Sequence, residues 1–199
     1  DFINTKCSPS DNPDELGTTH VAISDRFGNI ISATITIQSV FGSGRLVPGY
    51  GFLLNNELSD FEAEPGHCNS LQRGLKKRQT AIGLTSHGEE ASITYGAKRP
   101  RSSMTPLIVF KNDKPVLAIG ASGGWTIINS VYETLTNIID KSMNLGAAID
   151  APRIFINSDG QVYREADLSF KTTVNAISFK NNIEAYADKR KNGSAMVIK

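Results

Sequence analysis

One strong helical stripe, Ile127, Ile128, Val131, Leu135, Ile138 and Ile139, stands between two sets of short alternating segments that end in tight turns. Its 3.6-residue spacing predicts a helix over 125–142 with one buried side, and a second helical piece over 145–149 that stops before Pro152. Ahead of it, residues 19–24 alternate, Phe27-Gly28-Asn29 turns the chain, and 30–37 are mostly β-branched. That pattern predicts a hairpin whose second strand puts Ile31, Ala33, Ile35 and Ile37 on one face and Ser32, Thr34 and Thr36 on the other. Residues 51–54 read as a short buried strand, and a second hairpin is expected over 104–110 and 116–119. Strands return at 153–156, 161–163, 174–179 and 194–198. Hairpins around a single helical block exclude an all-helical fold and a sheet built from βαβ crossovers. They leave an α+β class in which helices cover a mostly antiparallel sheet.

The rest of the 199 residues bound the function more than the fold. Hydrophobic residues at 39% support a sizeable core, and 21 basic against 20 acidic residues give a charge of +1, which speaks against a polyanion-binding surface and hence against nucleic acid. No apolar run reaches the roughly 20 residues that span a bilayer. Residues 1–17 carry turn formers without strand or helix periodicity and read as a polar tail, with the ordered domain running over 18–199. The forty or so positions after Phe61 hold few apolar residues, and read as a long surface excursion that either covers a site or is a variable insertion. Cys7 and Cys68 could form one bridge. His20, His67 and His87 are too scattered for a metal centre, so neither metal nor cofactor is expected.

Three groups of residues could carry chemistry. Gly120-Ala121-Ser122-Gly123-Gly124 matches the G-x-S-x-G elbow of serine hydrolases. The histidine of that triad should follow the serine, and all three here precede Ser122, so the segment serves either as a tight strand-to-helix turn or as a pair of backbone donors for an oxyanion. Ser102-Ser103 before a strand could bind a carboxylate or be ordinary loop residues, and Glu57 with Asp60 could bind an amine or lie in solvent. Thr18-Thr19-His20 opens the ordered region. A threonine hydroxyl is a weak nucleophile unless a base is in reach, and a free α-amine on the same residue would be one if the Gly17–Thr18 bond were cut. The alternative is a threonine that merely starts a strand, with His20 a structural hydrogen-bonding residue.

Read in order, TTH at Thr18, TIQSVFGSG from Thr36, GFLLNNELSDF from Gly51, RPRSSMTP from Arg99, GASGG from Gly120, DAPR from Asp150 and the closing Asp188-Lys189-Arg190-Lys191-Asn192-Gly193 resemble the small subunit of the gamma-glutamyltransferase family. That family belongs to the N-terminal nucleophile hydrolases and includes members resembling capsule poly-γ-glutamate depolymerases. The resemblance implies a four-layer αββα sandwich, autoproteolysis before Thr18, and γ-glutamyl transfer to water or an amine through an ester on Thr18. It gives Thr36 the tuning of Thr18, and Gly123 and Gly124 the oxyanion hole. Glu57 and Asp60 would bind the substrate α-amine, with Gln38 where an asparagine often assists, and Ser102 and Ser103 the α-carboxylate. Glutathione or γ-linked polyglutamate would be the substrate, the large subunit of the same precursor the partner, and the periplasm, cell surface or exterior the location. Gln38 in place of asparagine and the long basic segment over 68–98 depart from the family pattern. A non-catalytic or unprocessed γ-glutamyl-binding subunit of the same fold is the alternative.

Overall fold

Asp25 decides where the first hairpin turns. In the computed structural model, its carboxylate accepts the Phe27 and Asn29 amides at 2.8 and 2.9 Å and the Asn29 side chain at 2.7 Å. Three short bonds to one side chain close the loop between β1 (Thr18–Ser24) and β2 (Ile30–Thr36), which pair antiparallel from Thr18↔Thr36 to Ser24↔Ile30. The structure describes residues 17–61, 99–157, 160–169, 171–180 and 182–198, and the backbone of two strands, β3 (Thr80–Leu84) and β4 (Glu90–Thr94). Residues 1–16, which include Cys7 and most of the tail, lie outside that set, as does Cys68.

The chain divides into two compact units, one of them Glu57–Ser102 and the other comprising the described residues before Glu57 and from Ser103 onward. Within the first, β3 and β4 pair antiparallel from Thr80↔Thr94 to Leu84↔Glu90. The segment read as a long surface excursion thus contains a hairpin. A ladder is made by backbone groups, and counting apolar side chains does not register it.

The second unit is built on β6 (Lys114–Ser122), the central strand of an antiparallel sheet ordered β10-β9-β6-β5, with β5 at Leu107–Lys111, β9 at Thr173–Ser178 and β10 at Glu184–Ala187. From Leu117 to Ser122 every residue of β6 is buried because both its faces are covered there. Leu117, Ile119 and Ala121, with Val174 and Ala176 of β9, join the core formed by Ile127, Val131 and Ile138 of α1 (Ile127–Ile139) and by Leu145, Ala148 and Ile149 of α2 (Leu145–Asp150). The intervening residues Ala118, Gly120 and Ser122 face the β1–β2 hairpin. Ser32 Oγ donates to Ile119 O at 3.0 Å, and Asn175 Nδ2 donates to His20 O at 3.0 Å. A small hairpin, β7 (Ile154–Ile156) with β8 (Val162–Arg164), buries Phe155.

Several sequence expectations change in detail. The helix begins at Ile127 after a 3-10 turn, Gly124–Thr126, and ends at Ile139. Ile128 and Ile139 face solvent, so the buried side is narrower than the stripe. Residues 51–54 contribute one isolated bridge, Leu46↔Leu53, with Phe52 and Leu54 exposed. Residues 194–198 form no strand; Met196 and Ile198 are exposed, and the sheet edge beside β9 is taken by β10. The sequence reading missed β10, because Glu-Ala-Tyr-Ala contains no β-branched residue.

The hairpin is also turned opposite to its amphipathic pattern. Thr18, His20, Ala22, Ser32, Thr34 and Thr36 occupy its more buried side, while Val21, Ile23, Ile31 and Ile35 are exposed. No helix among the described residues is long and apolar enough to cross a membrane.

Candidate active site

The ladder of the first hairpin extends one residue before β1. Gly17 donates its amide to Gln38 O at 2.8 Å, and Ile37 donates to Gly17 O, the carbonyl of the Gly17–Thr18 peptide, at 3.1 Å, so Gly17 is held on both sides. The next pair, Thr18↔Thr36, brings two hydroxyls within 2.9 Å. Thr36 Oγ1 also accepts the Gln38 amide at 2.8 Å. Thr36 Oγ1 thus keeps its proton and a second lone pair for the bond with Thr18 Oγ1, in which either hydroxyl can donate. Gln38 is buried with a φ of 70°, and its Oε1 accepts from Ser39 Oγ at 2.7 Å.

His20, two residues along the same face, is not placed as a base for Thr18. Its Nδ1 lies 2.8 Å from Thr34 Oγ1, and its Nε2 is buried without a partner among the described residues. Burial pulls its pKa to about 4, because a protonated ring would carry a buried charge and an unmatched N–H. The ring rests on Gly120: a Cβ there would lie only 2.8 Å from Nε2 and closer to Nδ1 and Cε1. The missing side chain at Gly120 is what lets hairpin and sheet approach.

Successive contacts run from Ser32 on Ile119 to His20 on Gly120. Thr18 and Thr36 thus lie toward the end of β6 where Ser122 passes into Gly123 and Gly124. These glycines have φ values of 139° and 61°, a pair of conformations that side chains disfavour. They precede α1, where the first amides of a helix have no intrahelical acceptor and face whatever lies beyond the end. Ser122 is 5% exposed and its hydroxyl is engaged with Thr173 Oγ1 at 2.8 Å, which suits a structural role rather than a nucleophile.

Ser103 belongs to the same unit, and its hydroxyl donates to Gly124 O at 2.8 Å. In that rotamer its proton is engaged by the glycine turn. Glu57, Asp60 and Ser102 belong to the other unit. Glu57 and Asp60 open and close a 3-10 turn, whose three-residue repeat stacks them on one side; both are half-buried, and Ser102 is exposed. The structure therefore joins Thr18, Thr36 and Gln38 directly and ties Ser103 to the glycine turn.

Residues 3–177 match the family model for gamma-glutamyltranspeptidase. The chain belongs to the gamma-glutamyltranspeptidase family. It is 46% identical over 141 residues to the glutathione hydrolase proenzyme of Bacillus subtilis (strain 168), an alignment covering 71% of this chain and 20% of that protein. The chain thus spans about a fifth of the length of such curated relatives. Among solved structures it resembles the gamma-glutamyltranspeptidase from Pseudomonas nitroreducens complexed with L-DON, with TM-score 0.70 and 29% identity over 91% of this chain and all of that one. The transpeptidase CapD of Bacillus anthracis shares the fold, with TM-score 0.60 and 22% identity over 90% of this chain and 99% of that one. The gamma-glutamyltranspeptidases among these neighbours, with the antiparallel sheets here, place the chain in the α+β fold of the N-terminal nucleophile hydrolases.

Sequence reasoning overlooked two features of this family member. One is the His20–Gly120 contact, whose signal was present as the small residues Ala118, Gly120 and Ser122 alternating through an apolar strand. The other is the set of buried threonines Thr126, Thr172 and Thr173 around the glycine turn, which carry no local signature.

Proposed function

We propose that this chain is the catalytic small-subunit region of an enzyme that transfers γ-glutamyl groups from γ-glutamyl amides, such as glutathione or poly-γ-glutamate, to water or to an acceptor amine. The observation that carries the reading is the Thr18–Thr36 hydroxyl pair, 2.9 Å apart, on a strand whose preceding residue, Gly17, is held by Gln38 and Ile37. Names of relatives at 40–46% identity as glutathione hydrolase proenzymes support the substrate class and a precursor that is cut.

In the precursor, Thr18 Oγ1 attacks the Gly17 carbonyl, its proton passes by way of a base outside the residue to the Thr18 nitrogen as the C–N bond breaks and the amine is freed, and water then hydrolyses the resulting ester to release the Gly17 carboxylate. In turnover, Oγ1 attacks the substrate γ-carbonyl, the Thr18 amine accepts the hydroxyl proton and returns it to the leaving amine, and a γ-glutamyl ester remains on Thr18 until water or an amine resolves it. Thr36, by donating to Oγ1, stabilises negative charge developing there, and the Gly123 and Gly124 amides receive the oxyanion, with about 3–4 kcal/mol of barrier at stake per donor. Glu57 and Asp60, with Gln38, take the α-amine, and Ser102 and Ser103 the α-carboxylate, so a ligand lacking either group is rejected. The large subunit of the same precursor is the partner, and the exposed Val21, Ile23, Ile31 and Ile35 face of the hairpin supports a cover supplied by another part of the protein.

The test is substitution at Thr18 in the complete precursor. Thr18→Ala should leave the Gly17–Thr18 bond uncut and abolish amine release from a γ-glutamyl anilide, whereas Thr18→Ser should keep a fraction of both. Mass spectrometry of the trapped acyl-enzyme should find the γ-glutamyl group on Thr18. An adduct on Ser122, or full activity in Thr18→Ala, refutes the reading.

A further inference from the structure

The Gly123–Gly124 turn is held by hydroxyl groups to which the reaction assigns no role. Thr126, completely buried, donates its one proton to Gly123 O at 2.7 Å. It also hydrogen-bonds Thr172 Oγ1, and because the Thr126 proton is already committed, Thr172 is the donor in that pair. Thr172 lies directly against the turn: a Cβ on Gly123 would come within 2.7 Å of its Oγ1 and 2.8 Å of its Cα. Thr172 is fixed in turn by Arg153, which donates to Thr172 O at 3.0 Å, to Ile149 O at 2.7 Å and to Asp188 Oδ2 at 2.7 Å, with Arg153 and Asp188 2% and 0% exposed.

The geometry of one peptide unit connects this clasp to chemistry. Gly123 C=O and Gly124 N–H belong to the same rigid plane and point in opposite directions across it. A hydroxyl that holds the carbonyl therefore also aims the amide. A glycine pair has broad conformational freedom and would not keep that plane fixed unaided. From this we propose that Thr126 and Thr172 are positioning residues for γ-glutamyl transfer: they set the direction of the Gly124 amide, and the Arg153–Asp188 pair anchors them. The inference rests on the proposed function only in taking that amide as an oxyanion donor.

Thr126→Val in the complete processed protein keeps side-chain shape and removes the proton donor. With a γ-glutamyl anilide, kcat should fall about 10- to 100-fold, less than loss of a donor outright, while KM stays within about twofold. Thr126→Ser, which restores the hydroxyl, should recover kcat to within about threefold of wild type. A merely structural residue would lower yield or thermal stability without dividing kcat from KM. Hydrogen–deuterium exchange gives a readout independent of turnover: amides over 123–128 should exchange faster in Thr126→Val, with β5 and α2 unchanged. Should Thr126→Val fail to fold, Thr172→Val is measured in its place with the same expected signs. A kcat within twofold of wild type, or unchanged exchange over 123–128, overturns the proposal. A wild-type protein without γ-glutamyl turnover would refute the functional reading alone, and exchange would then decide the clasp.

Discussion

Gly120→Ala tests the contact that seats the hairpin on the sheet. Gly120 is free of the positive φ values that penalise side chains, so its cost is one of space. The new methyl would lie 2.8 Å from Nε2 of His20, the farthest of three ring atoms it meets, where ordinary contact begins at 3.4 Å. The ring cannot withdraw freely, because Nδ1 is tied to Thr34 Oγ1 at 2.8 Å. Overpacking of this kind costs about 1–3 kcal/mol, and stretching the Thr34 hydrogen bond adds about 1 kcal/mol, so a loss of about 3 kcal/mol is expected. His20→Ala removes the obstacle, and in that background Gly120→Ala should cost under about 1 kcal/mol, leaving an interaction energy of roughly 2 kcal/mol. Urea unfolding of the four proteins of the cycle, at one protein concentration, measures it. An equal cost of Gly120→Ala in both backgrounds would show that the ring and the glycine are not in contact.

His20 also sets a pH dependence. Its unfolded ring takes a proton near the ordinary value of 6.5 and the folded ring only at about 4, so between these values the unfolded state binds more protons. Stability from this residue is complete above that window and declines as pH falls through it, by about 3 kcal/mol in all; His20→Gln should flatten the slope, and equal slopes in urea titrations from pH 7 to 4 would reject the assignment. Thr36→Val in already processed protein should lower kcat at least about tenfold, the equivalent of one hydrogen bond near 1.4 kcal/mol, and unchanged kcat would remove Thr36 from the mechanism. Asp188→Asn strands the buried Arg153 guanidinium, so about 3–5 kcal/mol should be lost; the melting temperature should drop by roughly 10 °C, and a drop under about 2 °C would contradict the pairing.

Local chemistry made much of this protein readable in one dimension. The Asp25–Asn29 turn, the β-branched second strand and the helical stripe are short-range signals, and each lies where expected to within a few residues. That Thr36 acts on Thr18 was legible only through the family resemblance, and the hairpin register, which sets Thr18 opposite Thr36, supplies its physical reason. Which face of that hairpin turns inward was not readable. Alternation says that two faces differ, but only the neighbouring sheet, with Ala118, Gly120 and Ser122 lining its surface, decides that the threonines and His20 lie between the layers while Ile23, Ile31 and Ile35 point away. The environment of the glycine turn belongs to tertiary structure for the same reason. Thr172 is 46 residues from Thr126, and Asp188 is 35 from Arg153, separations over which sequence carries no geometric information and only the closed sheet brings the groups within hydrogen-bonding reach.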